Sequence, residues 1–413
     1  MEDPQIVSNK KEKTPKSTGG FSRRLFTAVA GLVKWAMGIW FGFTLEEDPR
    51  IAQWKASDRG FIILCGHTAE ADAAVLLAAV YPRYARFVVG AQQLYKGLQG
   101  RLLRMFDVIP RKQFVSDIAS VKEMMKTVRD GHVLGMMPEG RVSLDGRPSP
   151  VDGSTAKLLK KLGCPVAVLV PEGSYWIKPP YDHKAILRGP LKGHLKVLLE
   201  EGEAASLSAE EITDRLNKAI YYNETKALTG TGRRYQNHKG QTMKGVSNLF
   251  YLCPSCGAFY TMHQADDRMC CSNCGAGVRL TREMVFLPEK EGLPCTVPDW
   301  NDRQLAFEKQ FWKEGSALFS VPVTRYVADL KGDAVFRTPE KGLLTLDRSG
   351  LSYKGETDHL QIALSDLPGV SADYEDGFIA CYEGDIIRRF VLDDVRKTAR
   401  FVNSLMTLRE MDQ

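Results

Sequence analysis

The stretch LCGHTAEADAAVLLAAV, residues 64–80, closes one short apolar run, FIILC (61–65), and opens a second, with His67 and Asp72 in the joint between them. The first run has strand length and is bounded by Gly60 and Gly66, so it reads as a buried strand; the second reads as a helix. Five residues advance an ideal helix by about 500°, so His67 and Asp72 would point apart if both were helical. They meet only if His67 stands in the strand-to-helix turn and Asp72 in the first helical turn, and the short side chains of Thr68, Ala69 and Ala71 leave room for that contact. An acid so placed gains from the helix N-terminus and holds an imidazole in one tautomer, which is the third member's role in a catalytic triad. The same pair also suits an ordinary polar joint between a strand and a helix, and this stretch alone leaves both readings open.

Outward from the joint, RFVVG (86–90), VLGMM (133–137) and PVAVLV (165–170) read as further buried strands. Between them, SDIASVKEMMKTVRDG places Ile118, Val121, Met125 and Val128 on one helical stripe and stops at Gly131. SAEEITDRLNKAIYYN opens with Ser208 and Glu211 in capping-box spacing. Strands interleaved with helices predict an α/β domain with a largely parallel sheet over residues 49–228.

A chain of 413 residues exceeds one typical core, so several domains are expected. Its 44% apolar content excludes wholesale disorder, and its net charge of +6 suits anionic membranes, phosphorylated ligands or nucleic acid without choosing among them. Residues 1–20 lack apolar periodicity and read as a mobile tail. Residues 21–48 contain roughly twenty mostly apolar residues behind Arg23 and Arg24, too long for a signal-peptide core and without its cleavage site. A spanning helix, an interfacial helix with Trp35 and Trp40 at headgroup depth and a buried core helix all suit this segment. The interfacial reading is preferred because Lys34 and three glycines weaken a spanning one.

The basic, Gly-rich residues 229–248 read as a linker. In the module 249–290, CPSCG and CSNCG each aim two thiolates at one point, with 14 residues between Cys256 and Cys271. Cys253, Cys256, Cys271 and Cys274 thus predict a closed tetrahedral zinc ribbon, structural because four protein ligands leave no open position. Cys270 is the alternative to Cys271, but the glycine after each second cysteine favours Cys271; reduced free cysteines are the plainer reading. Nine cysteines in a chain of this length are too few for a disulfide scaffold and fit a reducing, intracellular compartment. Residues 291–413 turn to short β runs and a final amphipathic helix, a β-rich accessory domain of pleckstrin-homology-like outline.

The motifs downstream of His67 come in order: VIPRK (108–112), MMPEGRVS (136–143) and GCPVAVLVPEGS (163–174). Together with His67 and Asp72 they resemble the glycerophospholipid acyltransferase family, over about residues 30–225. The GSYWIKPP stretch followed by a zinc ribbon is similar to a bacterial subgroup of it. The resemblance implies an acyltransferase-type mixed sheet flanked by helices and a transfer without a covalent enzyme intermediate. His67, braced by Asp72, would deprotonate a lysophospholipid hydroxyl that attacks the thioester of acyl-CoA or acyl carrier protein. Arg111, Lys112 and Arg141 are the cations for an acceptor phosphate, most simply that of 1-acyl-glycerol-3-phosphate, and Glu139 with Gly140 orients the glycerol or a basic partner. No catalytic cofactor is implied, and the expected location is the cytoplasmic face of a membrane. The chain departs from the family pattern at Gly66, where Asn is frequent, in a second block without its usual Gly, and at Arg141, one place earlier than in the commoner form. The absence of G-x-S-x-G disfavours a serine hydrolase. The alternative is a zinc-ribbon module binding nucleic acid or protein, with Arg233 and Arg234 nearby and an inactive acyltransferase-like domain; nucleic acid is not the preferred partner.

Overall fold

The apolar runs become strands of one sheet in the computed structural model, which describes residues 23–95, 97–112, 117–314, 317–329, 335–367 and 369–412. The expected N-terminal tail, residues 1–20, lies outside the described residues. The strands are β1 (Thr44–Glu47), β2 (Phe61–Cys65), β3 (Ala85–Gly90), β4 (Ile109–Arg111), β5 (Val133–Met136), β6 (Val166–Glu172) and β7 (Lys192–Leu199). They lie in the order β1-β7-β6-β2-β5-β3-β4, with β6 and β7 antiparallel and every other neighbouring pair parallel, so the sheet is mixed. β2 is central and buried along its whole length. Phe61, Ile63 and Cys65 pack into one core with Val75 and Leu169, whereas Ile62 and Leu64 pack on the other face with Met124 and Leu216. The period of two thus sends alternate residues of one apolar run into two different cores.

The helix Ile118–Arg129 forms where its periodicity places it, but turned: Ser120, Met124 and Thr127 are buried while Ile118 is 72% exposed. Two hydroxyl residues can face the sheet because their hydroxyls are satisfied locally, Ser120 Oγ donating to Asp117 O and Thr127 Oγ1 to Glu123 O. The capping box at Ser208 and Glu211 is formed as expected.

The N-terminal helix, Arg23–Phe41, lies against the helix Asp72–Val80 and buries Phe26, Ala30 and Met37, the Phe26 ring packing on Tyr84, Phe87 and Phe106. Its other face leaves Leu25, Leu32, Trp35, Ile39 and Trp40 exposed. It is long and apolar enough to cross a membrane by length and composition alone.

The segment 229–248 packs between the sheet domain and the four-cysteine module, with Tyr235, Met243 and Val246 buried, an isolated bridge between Arg188 and Gln236, and Gln264 donating to Met243 O. Four antiparallel strands follow, β8 (Met262–Ala265), β9 (Arg268–Cys271), β10 (Gly277–Leu280) and β11 (Phe286–Pro288). The C-terminal domain is a seven-stranded antiparallel sheet of β12 (Phe319–Asp329), β13 (Arg337–Asp347), β14 (Gly350–Lys354), β15 (His359–Ala363), β16 (Ser371–Asp373), β17 (Phe378–Glu383) and β18 (Ile386–Leu392), closed by the helix Arg396–Met411.

One element escapes the periodicity, the helix Val297–Phe311, because Asn301, Gln304 and Glu308 occupy buried positions on it. Their burial is compensated by partners: Glu308, fully buried, accepts from Arg400 Nε at 3.2 Å, Ser404 Oγ at 2.8 Å and Trp312 Nε1 at 3.1 Å. This helix joins the ribbon to the C-terminal helix.

Candidate active site

β2 ends at Cys65, the chain turns at Gly66 to Ala71, and the helix starts at Asp72, so His67 occupies the strand-to-helix turn and Asp72 the first helical position. This is the parallel-strand C-terminal end where open α/β sheets bind ligands. His67 Nδ1 lies 3.6 Å from Asp72 Oδ2, with the His67 side chain 20% exposed and Asp72 wholly buried. Nδ1 itself is shielded from solvent and makes no hydrogen bond. Nε2 is therefore the nitrogen available to a substrate.

The P-E-G turn holds the histidine by its backbone. Glu139 Oε1 accepts from His67 N at 2.8 Å, its Oε2 accepts from Ser149 N at 2.7 Å, and Ser143 N donates to His67 O at 3.0 Å. Gly140 stands at φ +69°, a left-handed conformation that glycine adopts without a Cβ penalty, and this reverses the chain so that Glu139 faces the His67 turn. Burial raises the Glu139 pKa to about 7, against the lowering effect of the two backbone donors. Between about pH 4.5 and pH 7 the native carboxyl then holds more proton than the unfolded one, so stability is largest below that window and falls as pH rises through it. The fall expected is roughly 3 kcal/mol, and Glu139→Gln should flatten it in urea unfolding curves measured from pH 4 to pH 8.

The three candidate cations lie at the ends of β4 and β5 and differ in their company. Lys112 is paired with Asp385 in the turn between β17 and β18. Arg141 donates to Ser149 Oγ at 3.2 Å and packs on Met406 Sδ, and burial lowers its pKa from the ordinary value. Neither Arg141 nor the half-buried Arg111 forms an ion pair with a carboxylate among the described residues, although the Glu139 carboxylate lies near enough to act on Arg141 through space.

The C-terminal domain rests on the loops that carry these groups. Besides Lys112 with Asp385 and Arg141 with Met406, Tyr382 donates to Gln92 after β3, and His183 Nε2 lies 2.9 Å from Asp373 after β6. A one-dimensional reading has no signal for these pairs, since the partners stand roughly 190 to 290 positions apart. It also missed Thr68 and Ser174, which flank the Asp72 carboxylate.

The four cysteines of the ribbon converge, each Sγ within 4.8 Å of the others, whereas Cys270 stays outside the group. Cys253 to Cys274 and Cys256 to Cys271 are both 3.8 Å. A tetrahedral zinc with Zn–S near 2.3 Å has S···S edges of about 3.8 Å, so the residues fit that ion; a disulfide would need about 2.05 Å. Asn273 and the Ala258 amide hold the Cys256 thiol down to about 6, ready to ligate. The His67 group lies in another domain. A cavity of about 480 Å³ between residues 240–247 and the ribbon, lined by Lys244, Gln264 and Arg282, contains none of the motif residues.

Residues 46–170 match the Acyltransferase family model. No curated protein matches the chain. Among solved structures it is similar to the 1-acyl-sn-glycerophosphate (LPA) acyltransferase PlsC from Thermotoga maritima, at 17% identity and a TM-score of 0.38, over 48% of this chain and 78% of that one. His67, Asp72, the VIPRK block and the P-E-G turn all fall inside the matched stretch, so residues 46–170 carry an acyltransferase domain by its family model.

Proposed function

We infer that the protein transfers a fatty acyl group from acyl-CoA or acyl carrier protein to the free hydroxyl of a lysophospholipid, with 1-acyl-glycerol-3-phosphate the first candidate, in phospholipid synthesis at the cytoplasmic face of a membrane. The observation that carries this is the imidazole of His67 at the end of β2, its Nδ1 turned to a buried carboxylate and its backbone pinned by Glu139. His67 Nε2 takes the proton from the attacking hydroxyl, and Asp72 stabilises the imidazolium as the alkoxide character builds on the acceptor oxygen. The proton then passes from Nε2 to the leaving thiolate. Arg141 and Arg111 meet the acceptor phosphate, since a buried or half-buried cation without a carboxylate ion pair gains most from an anion. Lys112 joins them only when Asp385 lets it go.

The exposed apolar face of the N-terminal helix, with Trp35 and Trp40, rests in the membrane interface and brings the active site to its acceptor. The four cysteines hold a structural zinc ion that takes no part in the transfer. The nucleic-acid alternative loses support because Arg233 pairs with Glu172 and Arg234 with Glu283.

A panel of lysolipids offered with each donor, read by thiol release and by mass spectrometry of the product lipid, tests the reaction. Lysophosphatidate is expected to be the best acceptor; no product with any acceptor and either donor would overturn the reading. Deleting residues 1–45 should move the protein from the liposome pellet to the supernatant, and unchanged sedimentation would count against the interfacial helix.

A further inference from the structure

The two oxygens of the Asp72 carboxylate have different company. Oδ2 accepts from Thr68 N at 2.6 Å and Ala69 N at 2.8 Å, and it is the oxygen 3.6 Å from His67 Nδ1. Oδ1 accepts from Ser174 Oγ and, among the described residues, from nothing else. Asp72 and Ser174 are both 0% exposed, so no solvent replaces that donor.

Hydrogen accounting fixes the direction of the contact. Ser174 Oγ also lies 3.2 Å from Thr68 Oγ1. A carboxylate oxygen accepts, so the single Ser174 proton sits toward Oδ1, and the Thr68 hydroxyl donates either to Ser174 Oγ or, at 3.5 Å, to Asp72 Oδ2. Both hydroxyls thus close on one carboxylate, from two turns of the sheet that are 106 positions apart.

Ser174 reaches this place through Gly173. That residue has φ +96°, and a Cβ there would stand 2.2 Å from Pro190 O, so the chain can turn out of β6 at this point only with glycine. The turn delivers the next side chain into the buried space behind the His67 joint. Burial, and then the nearby Asp72, push the Glu224 carboxyl well above its ordinary range.

We propose that Ser174 is a positioning residue for acyl transfer: by holding Oδ1 it helps set the rotation of the Asp72 carboxylate and keeps Oδ2 facing His67 Nδ1. This rests on the reading of His67 as the base. Without the hydroxyl, Oδ1 is a buried acceptor with no donor, and the carboxylate turns toward another donor. That weakens the brace on the imidazole while leaving the substrate-binding groups in place.

The test measures kcat and KM with 1-acyl-glycerol-3-phosphate and acyl-CoA or acyl carrier protein, on the full chain. Ser174→Ala is expected to lower kcat roughly tenfold to a hundredfold, by analogy with the loss when the outer partner that orients a metal ligand is removed, with KM changed by less than about twofold. In an Asp72→Ala background the same substitution should cost almost nothing further, because a residue acting through Asp72 has no one left to act on. A wild-type kcat for Ser174→Ala, or a loss that multiplies in full onto Asp72→Ala, overturns the proposal. Should Ser174→Ala fail to fold, Ser174→Cys, nearly the same size but a weak donor, is expected to lower kcat in the same way, and wild-type turnover there overturns it equally. His67→Ala run alongside separates the two levels. If it retains turnover, the base assignment falls and Ser174 with it; if it is dead while Ser174→Ala is fully active, the role of Ser174 alone is lost.

Discussion

Replacing His67 by alanine is expected to abolish acyl transfer, with kcat falling by roughly a hundredfold to ten-thousandfold, the usual contribution of a general base. The protein should stay folded, because the groups that hold this turn do not use the imidazole. Glu139 binds the His67 backbone amide, Ser143 binds its carbonyl, and Asp72 is held by the amides of Thr68 and Ala69. The measurement is thiol release with lysophosphatidate present, paired with thermal unfolding of both proteins. A variant that melts with the wild type and has lost turnover supports the base; one that transfers acyl groups at the wild-type rate removes it.

The second large effect is expected in the ribbon. Cys271→Ser should empty the metal site, and the binding energy forfeited is of the order of 10 kcal/mol, because a small metal domain folds around its ion. Cys253 and Cys271 are buried with Met269, Val278 and Phe286, and Phe250 and Phe286 pack on Trp300 of the bridging helix. Loosening the ribbon therefore reaches the helix that carries Glu308 and, through Arg400, the C-terminal helix. Elemental analysis should find one zinc per wild-type chain and none in the variant, and limited proteolysis should open residues 253–290 first. A wild-type protein that contains no metal and resists proteolysis equally with and without Cys271 would refute the zinc assignment.

Much of the site was legible in one dimension because its parts are local. A strand of five apolar residues, a turn of small ones and a helix beginning at Asp72 are separated by a few positions, and their geometry follows from strand and helix periods. The two C-x-x-C turns are equally local, which is why the convergence of the four thiols without Cys270 could be read directly. The Glu139 contact was partly legible: the P-E-G turn stood out, but not the two backbone amides that its carboxylate joins.

What was illegible shares a different property. The stripe Ile118, Val121, Met125 and Val128 was a fair reading of apolar spacing, yet the helix docks through Ser120, Met124 and Thr127, because hydroxyls satisfied within a helix cost little to bury. The helix Val297–Phe311 was hidden for the same reason, its buried face being built from Asn, Gln and Glu whose partners lie elsewhere in the chain.

By itself the sequence determined the α/β class, the position of His67 and Asp72 at a strand-to-helix joint, the four converging thiols and the amphipathic character of the N-terminal helix, since each depends on spacing over a few residues. Only the tertiary structure decided that Ser174 completes the Asp72 carboxylate, that Lys112 is tied to Asp385 while Arg141 forms no carboxylate ion pair among the described residues, and that the C-terminal domain rests on the loops of the site. Those outcomes depend on which polar atoms meet across a hundred positions or more, and hydrogen-bond satisfaction in a buried space is a property of the packed chain, which no local pattern encodes.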